Sequence, residues 1–343
     1  MRRSTLPAFL ALAALLPVAS TPVGAQDGAP GLKLAVGDVG LGIGDVPRLD
    51  GLRLSFRDRH LERVRGVNVT VWEPHEDARG RVEGIALGLP LTGAHDLRGL
   101  ALGAGFSAER DFDGVGFGLL GAGVGERARG VLVGGLGAGV GGSVQGLALG
   151  GLGVGAGESV RGVLAGGLGV GAGGHVRGLA IGGLGVGAGE SLTGVAVGGL
   201  GVGVGGDARG LLVGGLGVGG GGRLQGLAVG GLGVGASELE GIGVGGLGVG
   251  AADFTGAILS GVGAGVENGT GVVVAPAYFR VEETGTFRGV SLSAFNDIRG
   301  TQRGLSIGLL NIAEELHGLQ VGLINIARNK RSLSILPLFN YHP

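Results

Sequence analysis

The sequence predicts an all-β fold, a repeat β-solenoid with Gly-rich coils of 15–16 residues, and three observations predict it. A glycine opens a similar unit at Gly114, Gly130, Gly146, Gly162, Gly178, Gly194, Gly210 and Gly226, sixteen residues apart, and then at Gly241, Gly256 and Gly271, fifteen apart. Each unit has the same internal order: 146–161 reads GLALG, GLGVG, AGESVR, two similar pentads followed by a more polar stretch. Glycine supplies 87 of 343 residues, about a quarter of the chain against roughly 7% in ordinary proteins. No G-X-Y period accompanies it, so collagen is excluded, and only 15% of residues are charged while Leu, Val, Ile and Ala fill the gaps. That is too apolar for a disordered chain.

The elements follow in order. Arg2 and Arg3, an apolar stretch from Leu6 to Val18 and small residues at Val23-Gly24-Ala25 read as a signal peptide over 1–25, cut before Gln26. The chain is then expected to be exported, to the cell surface, the outer membrane or the periplasm. No lipobox Cys follows, since the chain has no cysteine, and disulfide and thiolate sites are excluded with it. Residues 26–83 read as an N-terminal cap with degenerate repeats, 84–270 as the Gly-rich array, and 271–343 as divergent repeats with a C-terminal cap. Counting the degenerate copies at Gly84, Gly99, Gly289, Gly304 and Gly318, there are sixteen units. At about 4.8 Å per coil they predict a rod roughly 75–80 Å long.

Within one unit Leu147 and Leu149 share a face of an extended chain, and so do Leu152 and Val154. The odd step from 149 to 152 would put the pairs on opposite faces of a straight strand. A corner at Gly150-Gly151 absorbs it. Leu147, Leu149, Leu152 and Val154, with Val160, are then expected to form one rung of the core, leaving Ala148, Gly153 and Gly155 on flat outer sides. Those sides motivate an expectation of lateral self-association.

A competing architecture is an antiparallel meander closed as an outer-membrane barrel, which would bring membrane association. Its support is a 32-residue superperiod: Glu126, Glu158 and Glu190 alternate with Gly142, Gly174 and Gly206, and Val131, Val163 and Val195 with Leu147, Leu179 and Leu211. Against it, neither face of a straight strand is polar enough for a water-filled lumen, and aromatic girdles are missing. Prolines in the last segment, LPLFNYHP, would also interrupt a closing strand.

The C-terminal units depart from the Gly-Val pattern and read GLSIGLLNIAEELH from Gly304 and GLQVGLINIARNKR from Gly318, followed by LSILPLFNYHP. This resembles a family of bacterial surface repeat-containing proteins with GLQxGLxNxA units and a Leu-Pro-aliphatic-aromatic-Asn ending. Residues 66–72, GVNVTVW, and 289–295, GVSLSAF, are similar to its other units. The resemblance covers about 289–343, is only periodic over the array, and implies an exported, surface-associated protein with no catalytic or ligand residue to carry over.

No catalytic, cofactor-binding or metal-ligating set is assigned. Formal net charge is −1, or −3 once Arg2 and Arg3 leave with the leader, and no basic stripe is present, so no nucleic-acid partner is expected. Lys33 and Lys330 are the only lysines, which excludes a P-loop. The histidines His60, His75, His95, His175, His317 and His342 lack metal-ligand spacing. Glu126, Glu158 and Glu190 could line an acidic ladder for calcium, but every second coil carries glycine there, and neighbouring Arg129, Arg161 and Arg177 make a solvated turn the simpler reading. Trp72, His75, Glu76 and Asp77 form the densest polar cluster. Pro74 and the eighteen residues between Gly66 and Gly84 place it on an enlarged loop near 72–80, a candidate partner-binding element.

Two readings of function stand first: a non-enzymatic surface or structural repeat protein, adhesive or self-associating, and an outer-membrane barrel or pore. A third, an enzyme centred on 72–77, would require activity that vanishes on Glu76→Ala or His75→Ala.

Overall fold

Repetition of a sixteen-residue unit can satisfy backbone hydrogen bonds if each strand pairs with its own image one coil later, and that is what the chain does. The structure is a computed structural model describing residues 31–72, 74 and 79–343. Strand Val160–Gly166 pairs in parallel with Ser143–Gly150 on one side and His175–Gly182 on the other, and Gly162 faces both Gly146 and Gly178. The short strands Gly137–Val140, Gly153–Ala156, Gly169–Ala172 and Gly185–Ala188 stack in the same way. The result is a β-solenoid of about 17 turns. Successive units are parallel, whereas a meander requires antiparallel neighbours, so the fold is not the barrel.

The corner at Gly150-Gly151 is present, but a second bend at Gly146 was not anticipated and reverses the predicted core. Gly146 has φ +128°, and a Cβ there would stand 2.1 Å from the Gly130 carbonyl oxygen. The equivalent glycine has positive φ in every coil from Gly51 to Gly318. Glycine is required twice over, by the dihedral and by the close coil above. The bend re-phases the strand, so Val144, Ala148, Val154, Ala156 and Val160 point inward and are buried. Leu147 and Leu149 are half-buried on the outside and Leu152 is 51% exposed. Val154 and Val160 lie in the core as expected; Leu147, Leu149 and Leu152 do not, and Ala148 lies inside. Gly153 and Gly155 face outward, with open space around Gly155.

A coil this narrow favours small side chains, and it fills by pairing sizes. In three successive coils the order of a buried Leu and Ala four residues apart reverses: Leu192 and Ala196, Ala208 and Leu212, Leu224 and Ala228, all at most 1% exposed. Over these coils the stacked columns alternate Leu with Ala and interdigitate. A two-coil period thus arises inside a parallel stack, and the superperiod needs no barrel.

Changes in spacing are absorbed at local irregularities, as inside the strand Gly217–Gly230, and not by a lasting shift of register. The step from sixteen to fifteen residues occurs between Gly220 and Arg223, with both flanking segments in register. At the N-terminal end Gly31–Val36 pairs antiparallel with Val39–Gly44. At the other end Ile335–His342 pairs antiparallel with Leu310–Ala327, through an irregularity at Gly322/Asn325.

Candidate functional site

The bends at Gly146, at Gly150–Leu152 and at 157–159 give each coil three outer sides with different chemistry. The first carries the residues around position 145. Here Gln145, Arg161, Arg177, Thr193, Arg209 and Gln225 stack in register. Coil-to-coil polar contacts cross this side: Arg127 to Asp111 at 2.9 and 3.1 Å, Arg110 to Asp96 at 3.0 and 2.9 Å, Arg223 to Glu238 at 2.7 Å and Arg209 to Gln225 at 2.7 Å. The hydrogen bonds from Arg127, and its charge, hold the Asp111 carboxyl below the usual carboxylate range.

The second side is apolar. Phe117, Val133, Leu149, Ala165, Ile181 and Val197 form one outward column, and the column through Leu147 lies two residues away. One leucine per coil, from Leu136 to Leu247, stands at the adjoining corner and is about half exposed. The corner backbones bond coil to coil, Leu168 N–H to Leu152 oxygen and Leu184 N–H to Leu168 oxygen, both 2.6 Å. Between the columns runs a shallow groove of about 610 Å³ lined by Val133, Leu149, Ala165, Ile181 and glycines. The third side is bare backbone, with nothing near a Cβ built on Gly139, Gly155, Gly171, Gly187 or Gly203.

The two ends hold polar groups inside. Near the N-terminus the fully buried Arg53 donates to Val46 oxygen at 2.9 Å, to Asp58 at 2.5 Å, to Asn68 at 3.0 Å and to Asp45 at 3.2 Å. Asp45 also accepts from the Arg59 and His60 backbones and lies 2.7 Å from His60 Nδ1. Burial works to raise the Asp45 carboxyl, but those donors and Arg53 bring it below its ordinary value. Near the C-terminus Asn296 Nδ2 donates to Asn311 at 2.6 Å and Asn311 Nδ2 to Asn325 at 2.7 Å, an internal asparagine ladder. Ser291 donates to Ser306 at 2.8 Å and Gln320 to Gln302 at 3.1 Å beside it.

Of the candidate loop, Trp72 is half exposed and its backbone N–H donates to the Phe56 carbonyl oxygen at 2.8 Å. Phe56 is itself exposed in the preceding coil, so two aromatic residues occupy the loop's base. His75, Glu76 and Asp77 lie outside the described residues, as does the 1–25 segment. Glu158 stacks between Gly142 and Gly174, which sets successive acids two coils, about 9.6 Å, apart. That is too far for two carboxylates to share a cation at coordination distances near 2.4 Å. Glu190 instead approaches His175 Nε2 at 2.9 Å. His317 and His342 meet at the C-terminal cap, with ring centroids 5.9 Å apart. Among the described residues no group of three or more His, Cys, Asp or Glu could hold a metal ion.

Sequence reasoning missed the Arg53 network, the asparagine ladder and the apolar side. A signal existed for two of them: Asn296, Asn311, Asn325 and Asn340 recur at coil spacing, and a leucine stands after Gly-Gly in every central unit. No protein-family model, no curated protein and no solved structure matches the chain.

Proposed function

We propose that the chain is an exported, non-enzymatic structural rod of the bacterial surface or periplasm, which works through its repeated sides rather than through a local site. The observation that carries this reading is the recurrence of one three-sided cross-section coil after coil across the central array. A scaffold or adhesive surface calls for the same chemistry at regular intervals, which a stack of near-identical coils provides. The leader at 1–25 and the resemblance of 289–343 to surface repeat proteins support the location.

Two measurements test the reading. Residues 1–25 fused to a reporter enzyme that is active only after export should give activity in a Gram-negative host. Residues 26–343 should be rod-shaped without detergent by size-exclusion chromatography with small-angle scattering. A reporter retained in the cytoplasm overturns the location, and a compact scattering profile overturns the rod.

A further inference from the structure

The apolar side departs furthest from what a solvated rod requires. At Leu152, Leu168 and Leu184 a large aliphatic side chain stands at a corner with 51%, 50% and 49% of its surface in solvent. The core does not need these residues, and a serine or asparagine would suit a corner equally well. With the columns through Leu147 and Leu149 they make a continuous strip. The outward columns carry no charged residue from Val115 to Val321. Apolar patches on free proteins rarely exceed a few hundred Å².

We propose that this strip is the contact through which two copies of the chain pack side by side, sheet face against sheet face. The inference rests on the reading of the chain as a structural rod and says which side of it associates, and with what. Three observations choose the occupant. The coils from Val115 to Val321 at ~4.8 Å each make the strip roughly 65 Å long, and two columns plus the corner make it about 12 Å wide. That area is on the order of the ~800 Å² per partner that a stable interface buries. Side chains along it repeat at the coil pitch, so a partner keeps contact over the whole length only if its own groups have that pitch, and a second copy has it by construction.

Growth at the C-terminal end is blunted as well. Pro337 lacks an N–H and Leu338 has φ +68° in the edge strand Ile335–His342, features that discourage strand addition. Because the strip occupies one side of each rod, pairing it with itself closes a two-fold dimer rather than an open fibre. A lipid surface is the competing occupant, since Arg161 and Arg177 lie on the adjoining side. No aromatic residue occurs from 118 to 253 to anchor the rod at a lipid interface.

The test uses residues 26–343 in sedimentation velocity over a wide concentration range, with three variants. The wild-type chain is expected to dimerise. The triple variant Leu152→Gln, Leu168→Gln, Leu184→Gln should keep its circular dichroism and weaken dimerisation by about a hundredfold or more. The control Gly155→Ser, Gly171→Ser, Gly187→Ser, on the bare side, should dimerise normally. Should the leucine variant fail to fold, single Leu168→Arg decides instead: with circular dichroism kept, it should weaken dimerisation, whereas Gly171→Arg on the bare side should not.

Dimerisation untouched by the leucine triple but lost in the glycine triple overturns the assignment to this strip and leaves the rod reading standing. A wild-type chain monomeric at all concentrations overturns the proposal. Should that monomer float with vesicles of phosphatidylethanolamine and phosphatidylglycerol, and the leucine triple not, the strip's occupant is lipid. A compact, non-rod particle would overturn the underlying reading instead.

Discussion

The central array and the C-terminal coils share one backbone and fill it with opposite chemistry. A single inward column begins Val154, Val170, Val186 and Val202, continues through Ala264 and Phe279, and ends Asn296, Asn311, Asn325. A second passes from Ile258 and Val273 to Ser291, Ser306 and Gln320. Parallel stacking puts each side chain on the equivalent position one coil away, so a column is stable either as interdigitated small apolar groups or as amides that bond one another. The two solutions differ in specificity. A Val/Ala column looks alike in successive coils and would accept slippage by a whole coil, whereas the asparagine ladder has fixed ends: Asn296 Oδ1 has no partner at the first rung, and Lys330 donates to Asn340 at 2.7 Å at the cap. The polar coils pin the register that the dry array leaves degenerate.

The largest effect tests what both regions share. Gly178→Ala places a Cβ 2.0 Å from the Gly162 oxygen at φ +130°, and Gly304→Ala places one 2.3 Å from the Gly289 oxygen at φ +124°. Each should cost about 4 kcal/mol or more in urea unfolding, with both coils moved apart. A clear difference between them would mean that the corner is not a common element.

Leu164→Ala, at a fully buried position of the dry core, should cost about 3 kcal/mol through lost burial and a cavity. Asn311→Ala should cost about 2–3 kcal/mol by another route, because it removes the acceptor of Asn296 and the donor to Asn325. Hydrogen exchange separates the two: loss of protection should stay near Leu164 in the first variant and extend from 293 to 340 in the second. Equal, local effects would erase the distinction between the cores.

A smaller effect belongs to the N-terminal end. The Asp45 carboxyl is held below its ordinary value of 3.8 in the folded chain, so its contribution is present above about that pH and is lost as pH falls through the folded value. Amide protection over residues 45–60 should therefore drop in acid before that of the array, and uniform loss would contradict it. The smallest effect is expected from Gly171→Ala, on the bare side with open space around its Cβ: a change within about 0.5 kcal/mol.

The fold was legible because equal spacing together with the phase step at the glycine pair favours stacked images of one unit over a meander. The core was not, because the largest apolar residues were assigned inside. Gly146 carried the missing information: a glycine at that place in every unit, followed by an alternating segment, marks a dihedral that shifts the phase of what comes after. The Arg53 network was invisible for a different reason, since Asp45, Arg53, Asp58 and Asn68 are brought together by turns whose form the spacing does not specify. Of the four candidate loop residues Trp72 alone lies among the described residues, and Phe56 beside it has no sequence mark that ties the two.

Inward Ala148 and outward Leu152 are the claim on which the sides, the strip and its partner all depend. The chain contains no cysteine, so Ala148→Cys and Leu152→Cys, each made alone, can be labelled with a maleimide under native conditions and in urea. At concentrations below dimerisation, the account predicts that the thiol at 152 reacts at close to its unfolded rate while the thiol at 148 is protected until the coil opens. The reverse order would return the leucines to the core and contradict the account.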